Sequence, residues 1–342
     1  MQMKKRRKNK SIQAVIITCI VLILCLLLAI FFYQDYQKRI TQRPSGDIPG
    51  EEVVESQENQ AFIRDIILVD DDDKIWHYKK ELVNILVMGI DRDFDENLGL
   101  VGTMGQADVL FLLTYDLEKK ELFITQIPRD TMIEVDLFDI SGRYISSEIK
   151  QIAAQYAYCV GEADGGWVMR KKVSELFYDI PIEGFLSMSV DGISKLNDFM
   201  GGVEVTVPED YTHIDPTFEK GKTVKLTGKL AEKYVRSRDT QVFGSNVDRM
   251  ARQRQYIHAL AEQIQRNIGE TPKFLEKWFL EMGDYIKTDL SIERMQEISG
   301  AKVHSDEVIM LPGELSAGEI HEEFYVDEST LKRMVLDMFF TE

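Results

Sequence analysis

Val83–Ile90 reads VNILVMGI, Val109–Tyr115 reads VLFLLTY and Leu122–Ile127 reads LFITQI. Each is a short, nearly unbroken apolar run, the pattern of a strand in a sheet covered on both faces. Only Asp116–Glu121 separates the second run from the third, a length suited to a hairpin. Helical periodicity follows over Ile149–Tyr158, Trp167–Phe177 and Ile193–Met200. The last of these opens on Asp191 as its cap and closes on Gly201–Gly202. Strands at Phe185–Val190 and Val203–Val207 flank it, giving a strand–helix–strand unit. A helical run over Leu226–Tyr234 precedes a long helix over about Val247–Asn267, with Gly269 just after it. The tail adds helices at Phe274–Tyr285, Ile292–Ser299 and Glu328–Phe340 and a strand at Glu307–Leu311. Residues 83–340 are therefore expected to form one α/β domain, an α-β-α stack around a central mixed sheet.

The first three strands alternate in direction, and this carries chemistry. A first strand running up ends at Gly89, Ile90 and Asp91. A loop returns the chain to Asp108, which opens a strand running down, and the third strand runs up to Pro128, Arg129 and Asp130. All three junctions fall at one end of the sheet, so Asp91, Asp108, Arg129 and Asp130 are brought together. Two carboxylates beside an arginine suit a hard cation and a phosphate, since Mg²⁺ commonly takes one or two carboxylates plus phosphate oxygens. Asp91 and Asp130 would serve as well as turn residues that cap loops; the pattern leaves both readings open.

A second cluster lies in Tyr234–Arg254, YVRSRDTQVFGSNVDRMARQR, with five arginines in a chain of net charge −17. Arginine is the side chain for two-pronged recognition of phosphate or carboxylate. In extended backbone Arg236 and Arg238 would point to one side. On the long helix Arg249, Gln253 and Tyr256 recur at i, i+4 and i+7, beside the apolar face of Met250, Ile257, Leu260 and Ile264. Arg249 also lies in the first turn, where free N–H groups favour an anion. Arg236, Arg238, Arg249 and Arg252 are read as ligand-binding; Arg254, on the opposite side of the helix, is read as a surface ion-pair partner.

The N-terminus carries a different signal. Six basic residues within Lys4–Lys10 precede an apolar stretch, Ile12–Tyr33, that bears no charge and ends in Phe31, Phe32 and Tyr33. About 20 apolar residues cross a hydrocarbon core, and an aromatic end marks an interface and not a cleavage site. The expected organisation is a cytoplasmic tail (1–11), a signal anchor (12–33), an extracytoplasmic stalk (34–82) and the folded domain outside the cell membrane. That exported part holds 35 basic and 58 acidic residues, a net of −23, which excludes a nucleic-acid binder. Cys159 is its one cysteine, so it has no internal disulfide. There is no P-loop, G-x-S-x-G or H-E-x-x-H motif, and the five histidines show no ligand spacing.

Taken in order, NILVMGIDRD, GQADVLFLLTYD, IPRDT, YVRSRDT, DRMARQ and KTDLSIERM resemble the LytR-CpsA-Psr proteins of Gram-positive bacteria over about Val83–Phe340. The resemblance implies an α/β domain outside the membrane that binds a polyprenyl-pyrophosphate-linked glycan. With Mg²⁺ it would transfer that glycan, through a phosphodiester, to a peptidoglycan hydroxyl. Carried over by position, it implies Asp91 and Asp108 as Mg²⁺ ligands. It implies Arg129, Arg236, Arg238, Arg249 and Gln253 as pyrophosphate contacts. Asp130 or a metal ligand would accept the hydroxyl proton. Two departures stand out: Gln106 replaces the arginine of the usual G-R-S-D-T, and Lys150–Ala153 alters a lysine–asparagine segment. Gln106 also favours a second class of function, a non-catalytic or regulatory protein that binds lipid-linked glycan.

Overall fold

A computed structural model describes residues 66–342 apart from 93–104, 162, 239–242, 300, 304–307 and 320. The anchor expected at Ile12–Tyr33, its basic flank and the stalk up to residue 65 lie outside the described residues, as do Asp239 and His304. Among the described residues no helix is long and apolar enough to cross a membrane.

The chain begins with β1 (Ile67–Val69) and β2 (Ile75–Tyr78), followed by β3 (Leu82–Ile90), β4 (Ala107–Asp116) and β5 (Glu121–Ile127). β6 (Met132–Phe138) and β7 (Tyr144–Gln151) form a two-stranded ribbon, and helices Ala153–Tyr158 and Gly165–Leu176 follow. β8 (Gly184–Ser189) runs into helix Val190–Phe199, then come β9 (Val203–Thr206), β10 (Thr223–Leu226), helix Gly228–Arg236 and the long helix Ser245–Glu270. Helix Phe274–Met282, β11 (Ile286–Thr288), helix Ile292–Ser299, β12 (Lys302–Val303) and β13 (Ile309–Met310) come next. β14 (Gly313–Ala317), β15 (Glu322–Val326), helix Glu328–Phe339 and β16 (Phe340–Thr341) complete it.

The central sheet has the order β11-β8-β3-β4-β5-β12, with β13 also paired to β5. β3, β4 and β5 are antiparallel neighbours, whereas β8 is parallel to β3 and β12 and β13 are parallel to β5, so the sheet is mixed as expected. Strand geometry divides the side chains between two faces. Leu86, Met88, Ile90, Leu110 and Leu112 join Met169, Val173, Leu331 and Val335 from helices on one side. Val83, Ile85, Phe111 and Ile124 face the other side, against Ile257, Leu290 and Ile298. A side chain such as Leu112, fully buried, contributes about 1.5–3 kcal/mol by leaving water. That two-faced burial is why the strands read as continuous apolar runs.

Several expectations change. The folded body includes residues ahead of Val83: β2 pairs with β16, and Asn84 is bonded to Tyr78 Oη (2.8 Å) and to the Pro181 carbonyl (2.9 Å). The acidic run at Asp70–Asp73 is the turn between β1 and β2, where Asp70 accepts from the Asp72 and Lys74 N–H groups and from Trp76 Nε1. Ile149–Gln151 is strand, held by pairing with Met132–Glu134, and the helix starts at Ala153. Leu226 is likewise strand, and β9 pairs with β10, leaving the central sheet without it. Gly269 lies inside the long helix, which ends at Glu270 before Thr271 and Pro272. In each case ladder pairing or packing outweighs local periodicity.

Candidate active site

The alternation of β3, β4 and β5 delivers the expected residues to one sheet end. Asp91 N–H donates to Gln106 O (3.0 Å), and Asp91 Oδ1 accepts from Gln106 N–H (2.7 Å), which ties the ends of β3 and β4 together. Gly105 makes this possible. Its φ is +81°, a conformation that suits glycine, and a Cβ there would lie 2.8 Å from Asp91 Oδ1. Two residues past Gln106, Asp108 forms an ion pair with Arg129 Nη1. Arg129 Nη2 donates to Gln106 Oε1 (2.6 Å), so the glutamine in place of the usual arginine orients Arg129. Arg129 Nε is buried, 3.4 Å from Asp130 Oδ1, and has no hydrogen-bond partner among the described residues.

The long helix contributes from its N-terminal end, where it begins at Ser245, so that Asn246 lies in the first turn and Arg249 just past it. Arg249 is buried, and its Nε and Nη2 both donate to the neutral Asn246 Oδ1 (3.1 and 2.8 Å). Among the described residues its ion-pair partner is Asp108, with Nη1 3.7 Å away. Burial, with Arg238 and Arg129 close by, pulls the Arg249 guanidinium down to about 10; Asp108 and Asp130 oppose the shift. Asp130 is buried between Gln151 Nε2 (3.0 Å) and Asn246 Nδ2, both of which donate to it. Burial raises its carboxyl above the ordinary range, with Arg129 and Asn246 only partly offsetting it. Arg129, Asp130 and Arg238 line a pocket of ≈ 380 Å³ together with Gln106, Gln151, Phe243 and Glu322.

Behind the sheet end lies a second space. A cavity of ≈ 280 Å³ is lined almost wholly by apolar side chains, including Ile85, Val87, Phe111, Tyr256, Leu260 and Trp278. Gly89 and Val109 also line it, and they stand two residues from Asp91 and next to Asp108. The charged site and the apolar cavity thus share strand ends.

Three of the expected arginines gather here: Arg129, Arg238 and Arg249. The others do not. Arg236 is the last residue of helix Gly228–Arg236; it is exposed and pairs with Glu232 (2.5 Å), because the backbone there is helical and not extended. Arg252 is buried and donates to the carbonyls of Tyr234 (2.7 Å) and Ser237, with its guanidinium 4.7 Å from the Tyr211 ring centre. Gln253 donates to Val235 O (3.0 Å). Arg252 and Gln253 therefore bind the open carbonyls at the end of that helix and hold the backbone that presents Arg238. Among the described residues Arg254 makes no ion pair and instead donates to Gln126 Oε1 (2.8 Å) on β5. Asn246, Gln151 and Glu322 were not anticipated. The last two arrive from distant strands, and no local spacing marks them.

Among the described residues no group of three or more His, Cys, Asp or Glu side chains converges on a point that could hold a metal. Asp91 and Asp108, on joined strand ends, are the carboxylates that could meet a hard cation here, since Mg²⁺ takes one or two carboxylates when phosphate oxygens complete its shell.

A sequence profile of the LytR_cpsA_psr family matches residues 51–334. The polyisoprenyl-teichoic acid–peptidoglycan teichoic acid transferase TagU of Halalkalibacterium halodurans is 30% identical over 217 residues, 63% of this chain and 63% of that protein. The match thus spans less than two thirds of that relative's length. TagU of Bacillus subtilis is 29% identical over 231 residues, covering 66% of this chain and 67% of that protein. The crystal structure of B. subtilis TagV shares the fold, with a TM-score of 0.56 at 24% identity over 76% of this chain and 97% of that one.

Proposed function

The chain belongs to the LytR_cpsA_psr family, and on that premise we propose that it is a membrane-anchored transferase. It moves a glycopolymer from a polyprenyl-pyrophosphate carrier to a peptidoglycan hydroxyl. The observation that carries this reading is the pairing of an arginine pocket with an apolar cavity at one sheet end. A lipid diphosphate has the same division, an apolar tail joined to a compact anion. The names of the TagU relatives describe transfer of teichoic acid to peptidoglycan, which fits that division.

Arg129, Arg238 and Arg249 would face the diphosphate. Arg238 and Arg129 oppose the charge on Arg249, while Asp108 and Asp130 favour it; a bound diphosphate relieves the repulsion among the three guanidinium groups. In a half-buried pocket the same charges stabilise the negative charge that grows on the departing lipid phosphate. Asp91 and Asp108 would hold Mg²⁺, which supplies Lewis-acid polarisation of the phosphoryl oxygens when bound. Loading such a site means that Asp108 shares its carboxylate between Arg129 and the cation. The apolar segment Ile12–Tyr33, behind a basic tail, keeps the domain at the outer membrane surface, where a polyprenyl carrier stays.

Full-length protein in detergent, given a polyprenyl-pyrophosphate-linked glycan, Mg²⁺ and peptidoglycan, is expected to release polyprenyl phosphate and label the wall polymer. Chelation of the metal is expected to stop release. Tight binding with no release under any metal condition would instead establish a glycolipid-binding protein. A reporter fused after Tyr33 that is active only in the cytoplasm would overturn the topology.

A further inference from the structure

Glu322 opens β15, and that strand is docked onto the site: Phe324 N–H donates to Asp130 O (2.8 Å), and Phe324 bridges Thr131. Gln151 Nε2 spans the gap, donating to both Glu322 O (2.7 Å) and Asp130 Oδ1 (3.0 Å). Glu322 is thereby held in the wall of the pocket that Arg129, Asp130 and Arg238 also line. Its Oε1 accepts from Gly244 N–H (2.6 Å). Its Oε2 is buried and has no hydrogen-bond partner among the described residues. A buried carboxylate oxygen without a partner is unfavourable, and a folded protein leaves few of them without a use.

The other carboxylates at the site are engaged. Asp108 is paired with Arg129 and lies 3.7 Å from Arg249. Both oxygens of Asp130 accept from amides, and Asp91 Oδ1 accepts from the Gln106 N–H. Beside Glu322, the Phe243 ring lines the same pocket with 60% of its surface exposed. An open aromatic face next to a few convergent polar groups suits a small polar ring such as a sugar.

Resting on the transferase reading above, we propose that Glu322 receives the proton of the attacking hydroxyl and that the acceptor sugar sits between Phe243 and the β14–β15 hairpin. The acceptor O–H gives its proton to the Glu322 carboxylate as its oxygen forms a bond to the glycan-bearing phosphorus. The bond from that phosphorus to the bridging oxygen breaks, and lipid phosphate leaves with the electron pair. Glu322 is then a catalytic residue, and Gln151, which touches Glu322 and Asp130, is a positioning residue.

The test uses full-length protein in detergent and a polyprenyl-pyrophosphate-linked glycan with a soluble peptidoglycan fragment as acceptor. Glu322→Gln keeps the shape and can still accept from Gly244. It is expected to bind the glycolipid as wild type does, while single-turnover transfer falls about 10²–10⁴-fold. Transfer within threefold of wild type, or a loss of glycolipid affinity that matches the loss of rate, would overturn the role. Phe243→Ala is the second variant, because an exposed ring is not needed for folding. It is expected to raise the KM for the acceptor about tenfold, with kcat and glycolipid binding unchanged; an unchanged KM would overturn the acceptor pocket. Wild-type protein that neither binds glycolipid nor releases lipid phosphate would sink the transferase reading, and this inference with it. Active wild type matched by Glu322→Gln would sink this inference alone.

Discussion

Arg249 and Arg252 stand three residues apart on one helix, both at most 5% exposed, yet they have opposite uses. Arg252 is satisfied. Its donors reach the carbonyls of Tyr234 and Ser237, its plane lies over Tyr211, and the helix end it caps favours a positive charge. Arg249 is not satisfied to the same degree. It touches a neutral amide oxygen, stands 3.7 Å from Asp108, and is disfavoured by burial and by Arg238 and Arg129. Residue type, element and burial are the same. What separates a structural arginine from one proposed to bind a ligand is whether the folded chain already supplies its partners.

That contrast predicts separable losses. Arg252→Ala is expected to cost the free protein about 3–5 kcal/mol, since buried carbonyls lose a charged donor and a large side chain leaves the core. Urea unfolding would measure it; a loss below about 1 kcal/mol would erase the contrast. Arg249→Ala is expected to weaken binding of polyprenyl pyrophosphate by about 1.5–3 kcal/mol while leaving the free protein as stable as before or slightly more so. A destabilised Arg249→Ala with undiminished affinity would make Arg249 a second Arg252.

Arg254 lies between these extremes, partly buried against Gln126 and bonded to it. Arg254→Ala is expected to cost about 1 kcal/mol of stability and to leave ligand affinity alone. The smallest effect belongs to Asp130. Its folded carboxyl titrates above its ordinary value, so between those two values the native state holds more protons than the unfolded one. Stability from this group therefore falls as pH rises through that window, and the unfavourable contribution is complete above the folded value. Melting temperatures from pH 4 to 7 are expected to show a shallower decline for Asp130→Asn than for wild type. An identical slope in both would remove Asp130 from the charged network.

The convergence of Asp91, Asp108 and Arg129 was legible because it follows from strand alternation and one short hairpin, both of which local pattern reveals. Helix Ile292–Ser299 was legible to the residue for a similar reason, as a compact periodic segment after Ser291. Ile149–Gln151 misled because the strand that captures it, β6, competes through backbone pairing that its own periodicity does not express. Arg236 misled because helix Gly228–Arg236 runs two residues beyond Tyr234 and turns the side chain toward Glu232.

By itself the sequence determined the α/β class, the mixed sheet and the end of it where charge collects. These depend on short-range facts: which positions along a strand or helix are apolar, and how few residues join two strands. Only the tertiary structure separated Arg252, which caps a helix end, and Arg236, which is exposed, from Arg238 and Arg249, which stand near Arg129. It alone placed the Glu322 carboxylate beside Asp130. The fate of a buried charge is decided by the donors, acceptors and rings that surround it, and here those come from segments far apart in the chain.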